Sequence, residues 1–216
     1  GLENHSHRYT GMMLINPFLV TPSFDGILNA EFNAFPFIDS KSNFTINNNG
    51  GITMVGNSAQ FDLSTANQTL EFVGNNGTAT NAFNFQQDFV LEFKVSNANM
   101  GSAQTVFDIK DVADNSGSHA QRMRLRAFND GGTALDYIGS GSAGGVYLGT
   151  GAIKTVKVEF TASNGAVSIY LDEALAYTPS GTSARSSLPR TLTLGGTFDG
   201  YDHSGLLFDY VRVTLG

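Results

Sequence analysis

A chain of 216 residues with a formal net charge of −7 and no cysteine excludes several classes at once. A nucleic-acid partner would need a basic face to neutralise phosphates, and disulfides, thiolate-bound zinc and thiol nucleophiles all need cysteine. Hydrophobic residues make up 41% of the chain and charged ones 14%, well below the roughly 25% charged of an average soluble domain, so one core can be filled while Asn, Ser, Thr, Gln and Gly carry the surface.

Residues 1–42 are apolar and poor in charge, with Met12, Met13, Leu14, Ile15, Phe18, Phe24, Phe32, Phe35 and Phe37. The stretch reads as an N-terminal extension, packed on the following domain as extra strands and a loop, or exposed as a contact surface for a neighbouring subunit or a second copy. Its most apolar run, "GMMLINPFLV", is short and is broken at Asn16-Pro17. That run cannot cross a bilayer as a helix, and no membrane insertion is expected.

Residues 43–216 read as one domain of short strands. The first are expected near 43–47, 51–55, 59–63 and 68–73. In "DFVLEFKV", Phe89, Leu91, Phe93 and Val95 alternate with Val90, Glu92 and Lys94, the period-2 pattern of a half-buried strand. Strands follow near 104–109, 121–127 and 134–138; then "TVKVEF" and "AVSIYL" repeat the alternation on either side of Asn164-Gly165. That dipeptide favours a two-residue type I′ hairpin turn, because both positions accept positive φ. Strands near 190–195 and 206–215 close the chain. No apolar period of three to four residues marks a helix and no long repeat appears, so the fold class is all-β, a two-sheet antiparallel β-sandwich or a barrel.

Three clusters carry candidate chemistry. In "RMRLRA", Arg122, Arg124 and Arg126 lie on one strand face about 7 Å apart. They form either a solvated stripe paired with acids such as Glu92 or Glu159, or a surface for two-point recognition of carboxylated or sulfated sugars. In "DIKDVADNSG", Asp108, Asp111 and Asp114 fall in what reads as an inter-strand loop that could supply calcium with oxygens, without EF-hand spacing. In "DGYDHSG", Asp199 and Asp202 flank a turn with Tyr201 and His203. No serine stands at a recognisable nucleophile turn for His203, so the segment reads as a turn or as a calcium or sugar site. Tyr137, Tyr147, Tyr170 and Tyr177 are further candidate stacking platforms.

The order of four phrases is similar to the laminin-G-like, concanavalin A-like jelly-roll family: "LEFVGNNGTATNAFNFQQDFVLEFKVSN", "QTVFDIKD…RMRLRAFNDGGTALDYI", "VKVEFTASNGAVSIYLDEALA" and "LTLGG…FDYVRV". The resemblance covers about residues 43–216. It implies two stacked, curved antiparallel sheets and a non-catalytic recognition or adhesion role, often glycan binding, with calcium and glycans held at rim loops such as Asp199–His203. Relatives occur in phage tails and other virion proteins and on bacterial surfaces, so an extracellular, virion or cell-surface location is implied. This chain has Lys94 where the family has Trp, Asp172-Glu173 where its hairpin has Asp-Gly, and Asp209-Tyr210 where its last strand has Asp-Glu.

Glycosidases of this fold place two carboxylates about 5 Å apart on one strand face. The glutamates of this chain stand singly, so no enzyme is expected. The expected function is a glycan-binding recognition module with calcium as the one candidate cofactor. The alternatives are a structural protein of a virion or surface assembly, and a carbohydrate-active enzyme.

Overall fold

The computed structural model describes residues 24–62, 68–97, 104–111, 122–128, 132–137, 142–143, 146–149, 151–179, 189–196 and 205–216. Along these the strands are β1 (Leu28–Glu31), β2 (Phe44–Asn49), β3 (Thr53–Val55), β4 (Ser58–Gln60), β5 (Thr69–Gly74), β6 (Phe89–Asn97), β7 (Gln104–Asp111) and β8 (Met123–Ala127). They continue with β9 (Thr133–Tyr137), β10 (Ser142–Ala143), β11 (Ile153–Thr161), β12 (Ala166–Leu171), β13 (Ala174–Tyr177), β14 (Arg190–Gly195) and β15 (Leu206–Leu215). One short helix, α1 (Gly77–Thr80), follows β5 and starts where the Asn76 side chain accepts a hydrogen bond from the Ala79 amide.

The strands form two antiparallel sheets stacked as a sandwich. An eight-stranded sheet runs β13-β12-β11-β6-β15-β4-β3, with β1 also on β15, and a seven-stranded sheet runs β10-β9-β8-β7-β14-β5-β2. Alternation dictates the inner faces. Phe89, Leu91, Phe93 and Val95 of β6 and Val156, Val158 and Phe160 of β11 meet Phe107, Ile109, Leu125, Leu192 and Leu194 from the opposing sheet. Phe93 and Phe107 join the sheets directly, edge to face at 5.8 Å.

Within residues 24–42, β1 adds to the eight-stranded sheet, Leu28 opposite Val213 and Glu31 opposite Tyr210. Asp39 holds the following corner. Its carboxylate accepts from the backbone amides of Asn29, Lys41, Asn43 and Phe44 at 2.9–3.1 Å.

Two turns depart from expectation. Thr161 pairs with Ala166, so Asn164-Gly165 belongs to a four-residue loop and is not a two-residue type I′ turn. Only Gly165 has positive φ, at 70°, while the Asn164 side chain accepts from the Ala166 amide. A two-residue turn with both φ positive occurs instead at Asp172-Glu173, with φ of 49° and 70°. The Asp172 carboxylate holds that turn by accepting from the Thr155 amide and from Lys154.

In β15 a bulge between Phe208 and Tyr210 inserts Asp209. Phe208 and Val211 therefore both reach the core. Asp209 pairs with Lys94 at 2.8 Å.

Candidate functional site

Met123, Leu125 and Ala127 of β8 enter the core, which sends Arg122, Arg124 and Arg126 to the opposite face of the seven-stranded sheet. That face is not a solvated stripe: Arg124 and Arg126 are only 4% and 7% exposed. Glu92 and Glu159 are not their partners, because both belong to β6 and β11 of the other sheet. Alternation identifies the residues that point away from the core. It carries no information on what covers them.

The acid on this face is Asp108. It lies in β7 and not in a loop, opposite Arg124 in the β7–β8 ladder. Successive registers align one polar row across all seven strands: Asn47, Glu71, Thr193, Asp108, Arg124, Asp136 and Ser142. Arg122, just before β8, donates from Nε to Asp108 Oδ1 at 2.8 Å and from Nη2 to Oδ2 at 2.7 Å. Burial pushes the Asp108 carboxyl up from its ordinary value, against the opposing pull of Arg122, Arg124 and Lys110. Both Asp108 oxygens accept from Arg122, and the other two expected calcium ligands, Asp111 and Asp114, have side chains outside the described residues.

A polar cavity of about 200 Å³ opens on this face over four adjacent strands. β5 supplies Thr69; β7 supplies Thr105, Asp108 and Lys110; β14 and its end supply Thr193, Gly195 and Gly196; and Arg122 completes the wall. Gly195 is required by its backbone φ of 73° and by the Phe61 ring packed where a Cβ would stand. The Lys110 ammonium has no hydrogen-bond or ion-pair partner among the described residues, and its charge is felt by Asp108.

Two other hollows lack such a group. In one, of about 390 Å³, the acid is Asp39, which is spent on four backbone amides. In the other, of about 270 Å³, Asp88 accepts from the Ala162 amide and Glu159 pairs with Lys157.

The outer face of the eight-stranded sheet is the open ionic surface. Arg212 pairs with Glu31 at 2.7 Å and lies 4.2 Å from the Tyr210 ring centre, and Tyr210 donates its hydroxyl to Glu92 at 2.9 Å. Burial, and then Glu92, push the Tyr210 hydroxyl up to about 12. Lys157 covers one face of the Tyr170 ring at 4.2 Å.

Asp114, Asp199, Tyr201, Asp202 and His203 lie outside the described residues, as does the side chain of Asp111, whose backbone pairs with Arg190. Among the described residues no group of three His, Cys, Asp or Glu is placed to hold a metal ion. Sequence reasoning missed Lys110 and the threonines. Their signal was the same i, i+2 alternation that picked out the arginines, running on from Asp108 to Lys110 in a strand expected to stop at 109.

No protein-family model matches the chain, and no curated protein sequence matches it. Solved structures match its fold. Trypanosoma rangeli sialidase in complex with sialic acid aligns at a TM-score of 0.64 and 11% identity, over 87% of this chain and 30% of that one. The receptor binding domain of botulinum neurotoxin D aligns at 0.62 and 12% identity, over 87% of this chain and 48% of that one. A structure of botulinum neurotoxin type C, whose cell entry is dependent upon interaction with two ganglioside molecules, aligns at 0.61 and 13% identity, over 87% and 47%. The chain thus spans less than half the length of each. At these identities the likeness is one of architecture: the chain is a two-sheet antiparallel β-sandwich of the kind found in these proteins.

Proposed function

We propose that the chain is a non-catalytic, glycan-binding recognition module of laminin-G-like, concanavalin A-like type, and that its sugar site is the cavity on the seven-stranded sheet. The observation that carries this reading is the cavity lining: three threonine hydroxyls, a buried ion pair and an ammonium with no partner among the described residues converge on a glycine-floored hollow. A few convergent polar groups in a concave site suit a hydroxyl-rich ligand. Fold neighbours that engage sialic acid or gangliosides are consistent with it. The resemblance supports a second, rim position at Asp199, Tyr201, Asp202 and His203, where calcium or sugar would bind, and a location outside the cell, on a virion or on a bacterial surface.

A glycan array probed with the full chain, with calcium and with chelator, tests the reading. The expected result is selective binding of at least one glycan class, weakened by Thr193→Val. Retention of no glycan, or turnover of a polysaccharide, would contradict it.

A second reading, a structural component of a virion or surface assembly, is favoured by one observation. Phe35 and Ile38, both within the N-terminal extension, are 63% and 65% exposed. Such a component would self-associate or bind a protein through these side chains, and light scattering of a Phe35→Ser/Ile38→Ser variant would report the loss.

A further inference from the structure

We infer that the cavity on the seven-stranded sheet is built for an anionic sugar substituent, a carboxylate or a sulfate, seated between the Lys110 ammonium and the outer edge of the Arg122 guanidinium. This deepens the glycan-binding reading and rests on it. A guanidinium carries five N–H donors in a fixed fork. Arg122 commits its Nε and one Nη2 hydrogen to Asp108, which leaves the Nη1 edge for a ligand.

Lys110 has no partner among the described residues and lines the same cavity. Of the ionic groups in the lining, Asp108 balances one cation, so one positive charge is in excess, in a chain whose net charge is −7. Along the polar row, Glu71 stands beyond Thr193 and already accepts from Asn47 at 3.1 Å, and Asp136 stands beyond Arg124, opposite it in the ladder.

The lining also argues against a neutral sugar as the preferred ligand. Among the described lining residues no aromatic ring is present to stack on a pyranose face. Recognition must come from hydroxyls and charge, and a planar carboxylate or a tetrahedral sulfate satisfies an ammonium and a guanidinium edge together. The volume, about 200 Å³, is below the roughly 300–1,000 Å³ of pockets for drug-sized ligands. It suits one charged substituent and its ring, with Thr105 and Thr193 bonding neighbouring hydroxyls. Asp108 is then a positioning residue that fixes the Arg122 fork.

The test is titration calorimetry of the full chain with sialyllactose and a sulfated heparin tetrasaccharide, against lactose and maltotetraose, with inorganic sulfate as a separate arm. The proposal expects acidic sugars to bind at least about tenfold more tightly than neutral ones, with affinity falling as salt rises. Lys110→Gln, which breaks no hydrogen bond or ion pair among the described residues, should weaken acidic binding about tenfold while the circular dichroism spectrum stays unchanged. Arg122→Lys should weaken it too, since a lysine keeps the charge and loses the fork.

Equal binding of neutral sugars, unaffected by Lys110→Gln, would overturn the anionic-substituent inference and leave the glycan-binding reading standing. Sulfate ion bound as tightly as the sulfated sugar would overturn it as well. No binding to any sugar would overturn the glycan-binding reading itself.

Discussion

Asp108 and Arg122 form a two-point ion pair at 2.7 and 2.8 Å with both side chains mostly withdrawn from solvent. Removing one member leaves the other charged and unpaired. Asp108→Ala and Arg122→Ala should each lower the unfolding free energy by about 3 kcal/mol, and the double variant should lose less than the sum. Urea denaturation of the four proteins measures this coupling. Because burial raises the Asp108 carboxyl above its ordinary 3.8, the native state holds that proton longer than the unfolded chain. Its contribution is therefore greatest below about pH 4 and is lost as pH rises through the raised native value. Asp108→Asn should remove that slope.

Asp39 is a second point of concentrated dependence, since four backbone amides from Asn29 to Phe44 converge on one carboxylate. Asp39→Ala leaves those donors without their acceptor. A loss of about 3 kcal/mol is expected, with hydrogen exchange accelerating first in β1 and at the start of β2.

The two hairpin turns should respond in opposite directions. Glu173 holds φ of 70° without being glycine, a conformation that costs an L-residue about 1–2 kcal/mol. Glu173→Gly relieves this and gives back about 0.5–1 kcal/mol in chain entropy, so Tm should rise by a degree or two. At Gly165, φ also 70°, the change Gly165→Ala introduces the strain and should lower Tm by about 2–4 °C.

Tyr210 should titrate late. With its hydroxyl pushed to about 12, first by burial and then by its bond to Glu92, it stays protonated in the native state when the unfolded chain begins to ionise at about 10. Its stabilising contribution is whole below about pH 10 and fades as pH rises towards 12. Phenolate absorbance should show this late step, Tyr210→Phe should abolish it, and Glu92→Gln should bring it to lower pH.

The strand faces were legible in the sequence wherever apolar and polar residues alternate over six or more positions, as in β6, β11 and β12, because one period fixes both faces. β1, β10 and β13 were not: "LNAE", "SA" and "ALAY" are short and lack the β-branched residues that mark a strand. Register was the larger gap. The sequence puts Arg122, Arg124 and Arg126 on one face, but their acid is chosen by which strands neighbour β8, and that depends on the packing of the whole sheet. Hence Asp108, read as a loop acid, proved to be the strand partner, and Lys110 two positions on came with it. At Asn164-Gly165 the hairpin was legible and the turn was not, because the strand pairing ends two residues sooner on the first strand, at Thr161 opposite Ala166.

The cavity of the seven-stranded sheet is the proposed place where a glycan is held. Amide and side-chain chemical-shift mapping during titration with sialyllactose tests that most directly. Saturable shifts centred on Thr69, Thr105, Lys110, Arg122, Thr193 and Gly196 are the expected result. Shifts confined to the Tyr170 and Tyr210 face of the other sheet, or no saturable shift with any glycan, would contradict it.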